Sequence, residues 1–168
     1  MKPPLVIGIG NRWRGDDAAG PMVLDALRQL VPVGIDLLDS PGDNLSLINA
    51  WTGRERVFLI DACSADDLAP GTVVTIDNAL VDGSALARMR HPASTHLLDV
   101  GQAIAMSKVL ANAPQRLTIY GIAASEFEAG DRPCDAVLAA VNTLSRELAS
   151  LLTTLRPGAT RPANRRQR

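Results

Sequence analysis

A chain of 168 residues has the length of one domain with a sizeable core. Hydrophobic residues make up 46% and charged residues 21%, a globular composition, while aromatics are only 3%, so the core must be built from Val, Ile, Leu and Ala. The formal net charge of −1 and the scarcity of aromatics argue against a nucleic-acid binder with base-stacking platforms.

Residues 5–9, LVIGI, read as a buried strand that leaves into a turn at Gly10 and Asn11. Ala19, Met22, Val23, Ala26, Leu27 and Leu30 then recur at helical spacing. Pro21 falls in or near the first turn, where a missing N–H costs little, and Pro32 limits the other end. Residues 34–39 predict a second strand, 43–51 a short helix, 56–62 (RVFLIDA) a third strand with an acid near its end, and 71–77 a fourth. Residues 80–93 read as loop. Residues 94–113 predict a helix capped by Ser94 or Thr95, 116–122 a fifth strand and 124–133 a loop. From Pro133 on, Val137, Val141, Leu144, Leu148, Leu151 and Leu155 form an amphipathic stripe that ends before Pro157. The tail 156–168 has five arginines and no core former and reads as disordered.

Strands alternating with helices predict a single α/β domain over residues 1–155, with a mainly parallel twisted sheet of about five strands and helices on both faces. No repeat or internal boundary is visible. Cys63 and Cys134 are far apart and form no CxxC pair, so they read as reduced core thiols rather than zinc ligands. The N-terminal apolar run is too short for a secretory signal and no run reaches membrane-spanning length. A cytoplasmic protein with no membrane partner is expected.

In open α/β sheets, ligands bind outside the carboxyl ends of the strands. The sequence delivers Asp16 and Asp17 after the first strand, Asp39 at the end of the second, Asp61 at the end of the third, and His96 at a helix start. A dinucleotide fingerprint beginning at Gly8 would need glycine at position 13, which is Trp13, and two carboxylates would face the pyrophosphate. Such an edge suits a cation. Zinc- and nickel-type ions accept carboxylate oxygen and imidazole nitrogen, and a helix N-terminus favours the neutral imidazole that binds metal. Each residue also has a structural reading. Asp16 and Asp17 serve as helix caps, but both cannot cap one end. Asp61 accepts N–H bonds from a loop, His96 is a satisfied polar residue on a helix, and Asp39 is structural. His91, followed by proline, has no regular context.

Together these residues resemble the hydrogenase maturation endopeptidases. The N-terminal signature of that family is a strand, G-x-G-N, a few variable residues and G-D-D/E-G-x-G, seen here as GIGNRWRGDDAAG. The third-strand acid stands in FLIDAC, the histidine segment is STH, and a late strand with a Glu- and Gly-containing loop appears as IYGIAASEFEAG. The resemblance runs over roughly residues 4–152. Two places depart from it: Ala18 replaces the usual glycine after the acidic pair, and DSPGDN (39–44) stands where a G-T-x-G turn is common, which bears on partner choice.

The resemblance implies an endopeptidase that trims the C-terminal extension of a nickel–iron hydrogenase large-subunit precursor after nickel insertion. The nickel is carried by the substrate, and no permanent cofactor is implied. The metal-contacting and catalytic positions fall on Asp17, Asp61 and His96. Asp16 takes a structural role, capping or bracing the turn, and Gly10, Asn11 and Gly15 shape the loop that aims Asp17. Two chemistries stay open: metal polarisation of the scissile carbonyl or of a bound water, and general-base action by a carboxylate such as Asp17. No activated thiolate is marked at Cys63. A large folded substrate implies a shallow groove. The alternative reading is a nickel-binding or docking accessory that does not cut.

Overall fold

The computed structural model describes residues 2–31, 34–63, 67–81 and 96–155. The elements are β1 (Leu5–Ile9), a 3-10 helix (Gly15–Ala18), α1 (Ala19–Leu30), β2 (Asp36–Ser40), α2 (Asn44–Trp51), β3 (Arg56–Cys63), β4 (Val73–Asp77), α3 (His96–Val109), β5 (Arg116–Ala123) and α4 (Asp135–Thr154). The strands form one sheet in the order β2-β1-β3-β5-β4. The first four strands in this order run parallel, and β4 runs antiparallel to β5 at the edge. The predicted α/β class, with a mainly parallel five-stranded sheet, is therefore the observed one.

The two inner strands explain this arrangement. β1 is buried along its whole length and β3 everywhere but Arg56, as expected of parallel strands covered on both faces. Alternate side chains point to opposite faces. Leu5, Ile7, Ile9, Val57 and Leu59 pack with Leu47 and Trp51 of α2 and Val100 and Ala103 of α3. Val6, Phe58, Ile60 and Ala62 pack on the other face with Val23, Leu24 and Leu27 of α1 and Val137, Val141 and Leu144 of α4. Helices thus cover both faces and leave the carboxyl edge of the sheet open.

Local chemistry sets the helix limits. Asp43 caps α2 by accepting the Ser46 N–H at 2.9 Å. α3 stops at Val109, short of the expected residue 113, where Ala111 turns left-handed at φ 53° and the Asn112 N–H closes on the Ser107 carbonyl. The predicted caps Ser94 and Thr95, the histidine His91, most of the loop 80–93 and the tail 156–168 lie outside the described residues. Among the described residues, no helix is long and apolar enough to cross a membrane.

Candidate active site

The chain leaves β1 through Gly10, at φ 137°. A Cβ there would stand 1.9 Å from the Asp17 carbonyl oxygen, so only glycine allows the loop to return this closely. The loop closes on itself by hydrogen bonds. Trp13 N–H donates to Asn11 Oδ1 at 2.9 Å, Arg14 N–H to the Asn11 carbonyl at 3.2 Å, and Asp17 N–H to the Arg14 carbonyl at 3.0 Å. This brings the Asp17 carboxylate back to the start of the loop, where Oδ2 accepts the Asn11 main-chain N–H at 3.1 Å.

Asp16 points elsewhere. Its fully buried carboxylate accepts three main-chain N–H bonds, from Ser125 and Glu126 at 3.0 Å on Oδ2 and from Cys134 at 2.7 Å on Oδ1. Its own N–H donates to the Glu126 carbonyl at 2.7 Å. The residue before it, Gly15, sits at φ 50° with its α-carbon so near that carbonyl that a Cβ would lie 2.4 Å away. Arg14 Nε donates to the Phe127 carbonyl at 2.7 Å, and Gly130 N–H donates to the Trp13 carbonyl at 2.8 Å. The expectation that one aspartate caps a helix is corrected here. The N-cap positions of the 3-10 helix and of α1 are Arg14 and Ala18, neither with a side-chain cap. Asp16 instead braces the carboxylate turn against the loop 124–134.

Asp61 lies near the end of β3, opposite Gly121 of β5, and is fully buried. The 3-10 helix that carries Asp17 packs against β3. α1 begins so close to both strands that a Cβ on Gly20 would stand 2.3 Å from the Ile9 carbonyl oxygen and 2.8 Å from that of Ile60. Asp17, only 3% exposed, and Asp61 therefore occupy one edge, at the ends of adjoining strands. Burying two carboxylates in this way is costly unless donors, cations or protons offset it, and such placement is common at functional sites.

α2 and α3 run side by side in the same direction: Asn44 Nδ2 at the start of α2 donates to Gln102 Oε1 in the middle of α3 at 3.0 Å, and the Trp51 indole at the end of α2 donates to Ser107 Oγ in the last turns of α3 at 2.9 Å. α2 begins just past the end of β2, so α3 begins, at His96, on the same carboxyl edge as the aspartates. The His96 side chain lies outside the described residues. Among the described residues, no three His, Cys, Asp or Glu side chains gather as a metal site.

Asp39 is held in an ion-pair network, as its structural reading expects. Arg12 forks onto Asp25 at 2.6 and 3.1 Å and reaches Asp39 at 2.7 Å, while Arg28 bonds Asp25 and, at 3.2 Å, Asp39. Arg12, Asp25 and Arg28 were not among the residues picked out from the sequence, although Asp25 and Arg28 are spaced three apart on the outer face of α1. Gly20 supplies the close helix–strand approach that the third glycine of a dinucleotide fingerprint would give.

Neither cysteine is a poised nucleophile. Burial, with the nearby Asp61 charge, pushes the Cys63 thiol up to about 12. Burial also raises Cys134, which is half-buried at the start of α4 rather than a core residue. Beside Asp17 runs an open groove of about 480 Å³, lined by Gly10, Asn11, Arg12, Trp13, Asp39, Ser40 and Pro41. It joins the variable loop after β1 to the start of the DSPGDN segment.

The hydrogenase maturation protease family, HycI, matches residues 23–150. The hydrogenase 2 maturation protease of Escherichia coli (strain K12) is 26% identical over 126 residues, 74% of each sequence. The structure of the hydrogenase maturating endopeptidase HybD from E. coli aligns with a TM-score of 0.77 at 23% identity, covering 90% of this chain and 92% of that one, a likeness of fold. The NiFe hydrogenase maturation protease HybD from Thermococcus kodakarensis aligns with a TM-score of 0.69 at 27% identity, covering 89% of this chain and 99% of that one.

Proposed function

The chain belongs to the hydrogenase maturation protease family, and from that premise we propose that it is the endopeptidase that removes the C-terminal extension of a nickel–iron hydrogenase large-subunit precursor once nickel is inserted. The observation that supports this reading is the pair of buried carboxylates, Asp17 and Asp61, at adjoining strand ends beside an open groove, with α3 starting at His96 on the same edge. The nickel arrives as part of the substrate. Asp17, Asp61 and His96 add ligands to it, so a loaded precursor gains bonds that an empty one lacks, and discrimination follows from that difference. The protein needs no permanent cofactor of its own, and the reaction belongs to the cytoplasm.

Within this reading Asp17 is the residue best held for proton transfer. The closed loop fixes its main chain, and the Asn11 N–H orients its carboxylate. A carboxylate so placed takes a proton from the attacking water while the substrate's nickel, held also by Asp61 and His96, orients the scissile segment. A thiolate route has no support, because the Cys63 thiol stays protonated far above neutral pH.

The test is intact-mass measurement on a large-subunit precursor, with and without nickel, after incubation with the protein. Loss of a C-terminal peptide from the loaded sample alone is expected. Binding to the loaded precursor without cleavage would put the accessory reading in its place. Asp17→Asn, Asp61→Asn and His96→Ala should each lower the cleavage rate by about 100-fold or more with the far-ultraviolet circular dichroism unchanged. His91→Ala should cut normally. Full activity in all three site variants would remove these residues from the mechanism.

A further inference from the structure

We propose that Trp13 is the docking anchor for the precursor polypeptide, taking a large apolar side chain of the segment that enters the groove beside Asp17. This rests on the protease reading above and assigns the residue that grips the substrate outside the metal-contacting set.

Trp13 is 80% exposed, in a chain with few aromatics whose other tryptophan, Trp51, is fully buried with its indole bonded to Ser107. A single exposed apolar residue is ordinary in itself. What sets Trp13 apart is its backbone. Its N–H is held by Asn11 Oδ1 and its carbonyl by Gly130 N–H, and both sequence neighbours are pinned, Arg12 by Asp25 and Asp39 and Arg14 by the Phe127 carbonyl. A rigid loop thus displays the indole to solvent, so little entropy is lost when a partner covers it. Tryptophan is also the residue type most enriched where truncation costs most binding energy.

The surroundings select the occupant. Trp13 lines the groove together with Pro41, an exposed residue from the loop after β2. The groove is also lined by Gly10 and by Asn11, whose main-chain N–H donates to the Asp17 carboxylate, so a chain lying in it passes beside the turn that holds Asp17. Arg12, the cation among its described lining residues, is already paired with two aspartates, which weakens its pull on a phosphate backbone. A groove this open cannot enclose a small molecule as ligand pockets do. An extended polypeptide with an apolar side chain over the indole fits both facts.

The experiment uses the full chain labelled with fluorotryptophan, whose two tryptophans give two fluorine resonances that Trp13→Phe assigns. On addition of the nickel-loaded precursor, the Trp13 resonance should shift or broaden while that of Trp51 stays in place. In cleavage kinetics, Trp13→Ala should raise KM about tenfold or more, with the loss in KM rather than kcat, and Trp13→Phe should recover most of it. A precursor that is cut while the Trp13 resonance is unmoved, or a Trp13→Ala enzyme with the wild-type KM, overturns the anchor and leaves the protease reading standing. A Trp13 response without cleavage keeps the anchor and overturns the protease reading. A precursor neither sensed nor cut overturns both.

Discussion

Three main-chain N–H groups converge on Asp16, from residues 109 to 118 positions further along the chain. Nothing near Asp16 in sequence announces that contact, which is why the sequence marks Asp16 for capping or bracing the turn without naming the loop it braces. A carboxylate meeting N–H donors forms charge-assisted bonds, and its removal leaves those donors without an acceptor. Asp16→Ala is therefore expected to cost about 3 kcal/mol or more in a urea titration, and Asp16→Asn less, since one acceptor oxygen remains. An Asp16→Ala protein as stable as the parent would show that the brace contributes nothing. Asp17 and Asp61 were easier to pick out, because an acid at the end of an apolar run stands where the sheet opens. The return of Asp17 to the start of its loop depends on the tight turn at Gly10, which the glycine marks. Cys63 offers a check on the chemistry: Cys63→Ala should retain cleavage activity, and its loss would reopen a thiolate route.

Among the elements, α1 packs directly on the sheet backbone. Its first turns rest on the main chain of β1 and β3, and Gly20 has no space for a side chain there. Because the colliding atoms are carbonyl oxygens of central strands, they cannot swing aside as a flexible side chain would. Gly20→Ala should push α1 outward and with it the adjoining 3-10 helix that carries Asp17. The expected loss is about 1–3 kcal/mol in denaturant, net of a small gain in helix propensity, together with slower cleavage. Unchanged stability and rate would mean that the contact yields freely. The inner strands were legible because burial on both faces demands an unbroken apolar run, and α4 because its apolar stripe holds from Val137 to Leu148, although near its end the buried residue is Leu152 and not the expected Leu151, which is exposed. The direction of β4 was not. An edge strand with one neighbour buries little, here only Ile76, and its alternating residues suit either orientation.

At the scale of the molecule, strand order makes the site. From β1 the chain passes outward to β2 on one side and then returns to β3 on the other, so the loops after β1 and β3 diverge and leave a crevice between them. Asp17 follows β1 and Asp61 lies near the end of β3, one from each side of that crevice. Alternation of strands and helices announced the carboxyl edge, but the order of strands along it rests on long-range pairing that no local pattern encodes. The same closed packing gives the folded state a pH dependence at the alkaline end. Cys63 is wholly buried at the end of β3, and its thiol is raised from the ordinary 9.0 to about 12. Below pH 9 the thiol is protonated in both folded and unfolded chains, so its contribution is fully present. Between about 9 and 12 the unfolded chain releases this proton and the folded chain does not, so stability falls as pH rises, by up to about 1.4 kcal/mol per pH unit. The half-buried Tyr120 phenol, raised chiefly by burial, adds a loss of the same sign. Comparing the parent with Cys63→Ala isolates the thiol: urea unfolding at about pH 8 and pH 10 should show a stability loss larger in the parent by roughly 1 kcal/mol. Parallel losses in the two proteins would mean that the Cys63 thiol ionises in the folded state as readily as in the unfolded one, and that this end of β3 is open to water.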